Sequence, residues 1–284
     1  MNNQLIITEC PRDAMQGIQE WIPTSTKVSY LNALLACGYD YLDFGSFVSA
    51  KAIPQLQDTA EVLELLHASE TKLLAIIANE RGAQEAASFE RIDVLGYPFS
   101  ISETFQKRNT NKTLDESMLL LETVSEQCTR AGKLFRVYIS MGFGNPYGDV
   151  WSADLVCLWV EKLKQHFPIY EFALSDTIGV AAPEQSQELF SQLYRHFPSQ
   201  KFAAHLHVIP GQEKAIVEAC MLAGCQHFDT AIGGFGGCPM AKDDLTGNLS
   251  TEALLQIAEA KNIKHRIDPQ AFESARILSH SIFN

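Results

Sequence analysis

Paired cysteine motifs, a basic surplus and long apolar runs are all missing from this sequence, and each absence removes a class of protein. The seven cysteines, at positions 10, 37, 128, 157, 220, 225 and 238, form no C-x-x-C pair and no regular spacing. Neither a disulfide framework nor a zinc knuckle is expected, and the thiols read as reduced. Acids outnumber bases 34 to 22, for a formal net charge of −12. Nucleic acids and anionic membranes favour basic surfaces, so neither is expected as a partner. A small anion held by a local cation such as Arg12 remains compatible with that charge. No stretch reaches the roughly 20 apolar residues of a membrane span. Residues 1–10 have no basic run ahead of an apolar one and do not read as a leader. These features together predict a cytoplasmic protein. The first turn, Cys10-Pro11-Arg12-Asp13, also lacks glycine, which counts against a doubly wound dinucleotide-binding sheet.

What is present is a regular alternation. With 46% of its 284 residues hydrophobic, the chain can bury one large core. Short apolar runs at residues 5–9, 39–44, 72–78, 92–95, 134–140, 170–175, 201–207 and 226–230 read as strands. Helical patterns fall between them at 25–37, 57–67, 83–89, 114–131, 153–167, 183–197, 212–223 and 251–260. Thr113 and Pro183 are helix-start residues, and glycines at 38, 132 and 224 stand where helices should stop. Strands alternating with helices pair in parallel, and a closed barrel of this kind typically takes about 250 residues. The chain is therefore predicted to be a single domain over 1–284, a (β/α)8 TIM barrel with its active site at the C-terminal face.

In such a barrel the residues just after the strands line one bowl. Those positions hold Arg12 and Asp13 after the first strand, then Asp43 and Ser46 at the end of the second. Asn145 follows the fifth strand, Asp176 and Thr177 end the sixth, and His205 and His207 close the seventh. The two-residue period of His205-Leu206-His207 turns both imidazoles to one face. With Asp13 and Asn248 they offer two nitrogens and two oxygens to a divalent ion, against the plainer reading of barrel-mouth polar groups satisfied by neighbours. Oxygen ligands suit Mg²⁺ or Mn²⁺, and imidazoles favour Mn²⁺, Co²⁺ or Zn²⁺. Arg12 is either an oxyanion donor or the partner of a salt bridge to Asp43 or Asp176, and the two are compatible. The run Gly233-Gly234-Phe235-Gly236-Gly237-Cys238-Pro239 reads as a mobile loop carrying one thiol; no Lys-Ser/Thr follows it, which excludes a phosphate loop.

These residues resemble the 3-hydroxy-3-methylglutaryl-CoA lyase family, a metal-dependent lyase group of α/β barrels. The likeness rests on Pro11-Arg12-Asp13 with Gln16, on Ser46-Phe47-Val48-Ser49 with Pro54-Gln55, and on Ser102-Glu103 with Phe105, Lys107 and Asn109. It continues through Ser175-Asp176-Thr177-Ile178-Gly179-Val180 and His205-x-His207. Its most specific piece is Gly236-Gly237-Cys238-Pro239 through Gly247-Asn248-Leu249 and Thr251-Glu252. The resemblance implies that Asp13, His205, His207 and Asn248 hold one Mg²⁺ or Mn²⁺, that Arg12 stabilises an enolate, that Cys238 is the catalytic-loop thiol and that Asp176 is a supporting acid. Gln16, Ser46, Asn145 and Thr177 are the candidate substrate contacts. Asp43 stands where these lyases usually carry glutamate and, one methylene shorter, is expected to reach Arg12 less directly. Other departures are Ala14-Met15 for Gly-Leu, Val208-Ile209-Pro210 for an Asp-Thr-aromatic run, one extra residue between Cys238 and Asn248, and Asn145 for a frequent cysteine.

The implied reaction is a retro-Claisen cleavage of 3-hydroxy-3-methylglutaryl-CoA, or a close 3-alkyl relative, to acetyl-CoA and a 3-keto acid such as acetoacetate. His205 or Asp13 would take the hydroxyl proton. A Claisen condensation with acetyl-CoA and a 4-hydroxy-2-oxo-acid aldol cleavage use the same barrel, and a barrel that binds an acyl-CoA or a metal without turnover is the reading from outside enzymes. An acyl-CoA thioester is the expected partner, and a homodimer stays open as an assembly.

Overall fold

The computed structural model describes residues 4–237 and 246–283. Strands β1 (Ile6–Glu9), β2 (Tyr41–Ser46), β3 (Lys72–Ile76), β4 (Val94–Ser100), β5 (Leu134–Ser140), β6 (Glu171–Asp176), β7 (Lys201–Val208) and β8 (His227–Thr230) follow one another in the sheet. Every neighbouring pair among them is parallel, and pairing of β1 with β8 and of β6 with β7 closes the ring. This is the (β/α)8 barrel that the alternation predicts.

The helices are α1 (Pro11–Gln16), α2 (Thr24–Ala36), α3 (Thr59–Leu65), α4 (Glu80–Ala87), α5 (Glu103–Thr110), α6 (Leu114–Arg130), α7 (Ala153–His166), α8 (Pro183–His196), α9 (Glu213–Leu222), α10 (Thr251–Ala260) and α11 (Pro269–Phe283). Thr113 caps α6 through a reciprocal capping box with Glu116, and Pro183 opens α8. Gly38, Gly132 and Gly224 adopt the positive φ angles that end helices. Periodicity did not disclose α1 or α5, which are short, or α11, which follows the eight strand–helix units. The fourth strand runs on to Ser100, past residue 95 where the apolar run ends, and includes Pro98. Among the described residues, no helix is long and apolar enough to cross a membrane.

Apolar side chains between the barrel and its helices form the main core, from Ile7 on β1 round to Phe228 on β8. The barrel interior is different. Tyr41, Leu74, Ile76, Val94, Tyr138, Ala173 and Ala203 supply a small apolar cluster there. Beside them the interior holds Arg136, Glu171, His227 and Asp229, all buried, where barrels of this kind usually place branched apolar residues.

Candidate active site

Pro11 opens α1 immediately after β1; its fixed φ suits a first helical position and it has no N–H to leave unpaired. The short helix packs against β2 at the C-terminal mouth of the barrel, setting Arg12 and Asp13 over the bowl. Arg12 Nε lies 3.2 and 3.0 Å from the two carboxylate oxygens of Asp43, and Nη2 lies 2.6 Å from Asp43 Oδ2. Nη1 donates to Asp13 Oδ1 at 2.8 Å and to Gln16 Oε1 at 2.9 Å. The expectation that Asp43 reaches Arg12 less directly is therefore corrected: α1 rides close enough to β2 for the shorter acid to make a forked contact. Burial alone would lower the Arg12 pKa, but Asp43 and then Asp13 raise it above its usual value, so the guanidinium stays charged.

Asp13 is held from several sides. Its Oδ1 accepts from Arg12 and from Gln16 Nε2 at 2.8 Å, and its Oδ2 accepts from Asn248 Nδ2 at 2.8 Å. Burial would raise its pKa, yet Arg12, His207 and His205 together hold the carboxyl well below the ordinary carboxylate range. On β7, strand alternation turns His205 and His207 into the barrel with ring centroids 5.4 Å apart. A two-residue strand, β9 (Gly247–Asn248), runs antiparallel to the end of β7 and sets Asn248 opposite His207. Its Nδ2 also donates to the Phe235 carbonyl at 2.9 Å, leaving the amide oxygen as the atom able to ligate. Gly236 makes this approach possible: a Cβ there would lie 2.6 Å from Asn248 Nδ2 and 2.9 Å from Ala14 Cα.

The donor set fits a divalent ion. Asp13, His205 and His207 each offer one ligand atom, and those atoms lie within 4.8 Å of one another. Among the described residues, neither ring nitrogen of His207 has a hydrogen-bond partner although both are buried; Nε2 stands 3.7 Å from Asp13 Oδ2. A buried imidazole without a partner is costly unless something fills the gap, and a cation between His207 and Asp13 would do so. A second grouping, Cys10 with His205 and Asp229, fits poorly. Burial keeps the Cys10 thiol protonated by raising its pKa well above 9.0, and Asp229 is committed to Arg136 at 2.8 Å.

Other sequence candidates sit at the rim with their polar atoms used locally. Asp176 accepts from the backbone N–H groups of Ile178, Val180 and Ala181 at 3.3, 3.1 and 2.7 Å, which makes it the anchor of the loop after β6. Asn145 folds the loop after β5: its Oδ1 accepts from the Tyr147 and Asp149 backbone and its Nδ2 donates to the Asp149 carbonyl. Ser46 Oγ accepts from the Val48 backbone, and Thr177 Oγ1 lies 3.6 Å from Met141 Sδ. Cys238 lies outside the described residues.

Beneath the bowl is a network that the sequence reading missed. Asp229 Oδ2 lies 3.1 Å from His205 Nδ1, and Asp229 Oδ1 accepts from Arg136 Nη2 at 2.8 Å. Arg136 Nε pairs with Glu171 at 3.2 Å, and His227 Nδ1 lies 2.7 Å from Glu171 Oε1. The signal was available: His227-x-Asp229 and Arg136-x-Tyr138 have the same two-residue period that disclosed His205-x-His207.

Comparison with known proteins agrees with this geometry. The HMGL-like family model matches residues 4–278. The chain is 32% identical over 266 residues to the hydroxymethylglutaryl-CoA lyase of Bacillus subtilis, covering 93% of this chain and 88% of that one. It is equally similar, at 32% over 266 residues with 93% and 88% covered, to the 3-hydroxy-3-isohexenylglutaryl-CoA/hydroxymethylglutaryl-CoA lyase of Pseudomonas aeruginosa. Among solved structures, an HMG-CoA lyase from Acinetobacter baumannii in complex with coenzyme A and 3-methylmalate superposes with a TM-score of 0.92 at 29% identity, covering 100% of this chain and 92% of that one. With a barrel closed in the same way and a family match running almost from end to end, this chain belongs to the HMGL-like family.

Proposed function

We propose that this chain is a carbon–carbon lyase that cleaves 3-hydroxy-3-methylglutaryl-CoA, or a close 3-alkyl relative, to acetyl-CoA and a 3-keto acid, acetoacetate for the methyl substrate. The observation that carries this reading is the cluster of Asp13, His205 and His207, with Arg12 beside it held charged. Asp13, His205, His207 and Asn248 would hold one divalent ion, Mg²⁺ or Mn²⁺. When bound, that ion supplies Lewis acidity to the substrate hydroxyl and a neighbouring oxygen.

The chain's own groups supply the rest. His205 or Asp13 takes the hydroxyl proton; with Nδ1 of His205 turned to Asp229, its one remaining lone pair on Nε2 serves either the ion or the proton, which favours Asp13, whose carboxylate keeps further lone pairs. As the carbon–carbon bond breaks, charge moves to the thioester oxygen. Nε, both N–H groups of Nη1 and one of Nη2 are committed in Arg12 among the described residues, so one Nη2 N–H is left for that oxygen. Asp43 and Gln16 keep the guanidinium plane fixed while this happens. Cys238, on the glycine-rich loop, is the proton donor to the enolate. Anchoring of the rim by Asp176 and Asn145 is a positioning role. The test is a comparison of kcat/KM for 3-alkyl-3-hydroxyglutaryl-CoA substrates against a 4-hydroxy-2-oxo acid lacking CoA. Cleavage of the CoA substrates is expected; preference for the CoA-free acid would assign the barrel to the aldolases.

A further inference from the structure

Resting on the metal-site reading above, we propose that Asp229 is a positioning residue for His205, and that Arg136 dictates which of its oxygens faces the imidazole. Asp229 is the third residue of β8 and is buried. Its Oδ2 lies 3.1 Å from His205 Nδ1 and its Oδ1 accepts a hydrogen bond from Arg136 Nη2 at 2.8 Å. An ionised carboxylate only accepts, so His205 must carry its proton on Nδ1. The ring's lone pair is then on Nε2, the state a metal ligand requires. Tyr138 packs edge-on against the His205 ring with centroids 5.5 Å apart, and fixes the ring's tilt.

Arg136 cannot yield its position. Glu171 Oε2 lies 3.2 Å from its Nε, Thr8 Oγ1 lies 3.3 Å from its Nη1, and its guanidinium carbon lies 4.9 Å from the Tyr138 ring centroid. Glu171 is in turn pinned by His227 Nδ1 at 2.7 Å. This chain of contacts gives Asp229→Asn a specific defect. Arg136 claims the new amide's oxygen, which leaves the NH₂ group facing His205 Nδ1. Two donors cannot face each other, so the imidazole proton is driven to Nε2, where the ion should be. A network that only fills the barrel interior would have no such consequence.

The experiment measures Mn²⁺ affinity from the free-ion EPR signal, with ¹⁵N imidazole shifts read on the Mg²⁺-loaded enzyme, for four variants. Asp229→Asn is expected to weaken Mn²⁺ binding about 10- to 100-fold and to move the His205 N–H from Nδ1. The double variant Arg136→Met with Asp229→Asn is expected to recover most of the lost affinity, because the amide oxygen is then free to turn to Nδ1. His205→Ala and His207→Ala should abolish tight binding. Unchanged Mn²⁺ affinity in folded Asp229→Asn, or a double variant no better than the single one, overturns the positioning role. If Asp229→Asn does not fold, the double variant decides: affinity near the parent's supports the proposal, and a loss as large as that of His207→Ala overturns it. Unchanged affinity in both histidine variants would instead refute the metal-site reading itself.

Discussion

Replacing Glu9 by Gln should change how stability depends on pH. Glu9 ends β1 on the outer side of the barrel, where its Oε1 accepts from the Ile232 backbone N–H at 2.7 Å and its Oε2 lies 2.6 Å from Thr251 Oγ1. It thus ties together the two stems of the loop that carries Asn248. Burial, opposed by hydrogen bonds from Thr251 and Ile232 and reinforced by the charge of Glu252, pushes its pKa from 4.5 up to about 8. Burial outweighs the donors Thr251 and Ile232, so the acid form prevails at neutral pH. Below pH 4.5 the group is protonated in both folded and unfolded chains and has no effect. Between pH 4.5 and about 8 the unfolded chain releases a proton that the folded chain keeps, so stability falls as pH rises. At about 1.4 kcal/mol per pH unit, the fall reaches roughly 4 kcal/mol by pH 8 and then levels off. Glu9→Gln is neutral throughout and imitates the acid form. Urea unfolding of parent and variant between pH 5 and 9 should therefore show the variant gaining on the parent up to about pH 8. Parallel stability curves would refute the buried, protonated Glu9.

Three other perturbations probe the bowl directly. Arg12→Gln removes the charge that meets the enolate and should cut kcat by about 10²–10³. Mn²⁺ affinity, measured by calorimetry, should change little, because Gln16 still holds Asp13 Oδ1 at 2.8 Å; loss of metal would reduce Arg12 to a structural ion. Asp43→Ala leaves the buried Arg12 without its forked partner and should destabilise the fold by about 3–5 kcal/mol in urea titrations. Gly236→Ala places a methyl 2.6 Å from Asn248 Nδ2 at a residue whose φ is +94°, so Mn²⁺ affinity should fall with little change in far-UV circular dichroism.

The barrel was legible because eight apolar runs and their helices repeat in register, and because positions after strands share one bowl. Asp13, His205 and His207 could be brought together on that logic alone, and their ligand atoms do cluster. Asn248 arrives by a route no periodicity discloses, a two-residue antiparallel strand held against β7. Asp176 and Asn145 illustrate the opposite limit. Each follows a strand as a bowl residue should, yet their side chains bond to the backbone of their own loops, a choice set by local turn geometry. The Arg136–Asp229 pair was passed over for another reason: only positions after the strands were taken as bowl residues, and both of these lie within strands, beneath the bowl.

The central claim is that Asp13, His205, His207 and Asn248 hold a divalent ion with which Arg12 cleaves a hydroxyacyl-CoA. The most direct measurement incubates purified, chelator-treated protein with 3-hydroxy-3-methylglutaryl-CoA and follows acetyl-CoA and acetoacetate as Mg²⁺ or Mn²⁺ is restored, with His207→Ala alongside. The account expects no products without metal, equal amounts of both on adding it, and loss of that response in the variant. Full turnover in verified metal-free protein, or a metal response unchanged in His207→Ala, would contradict it.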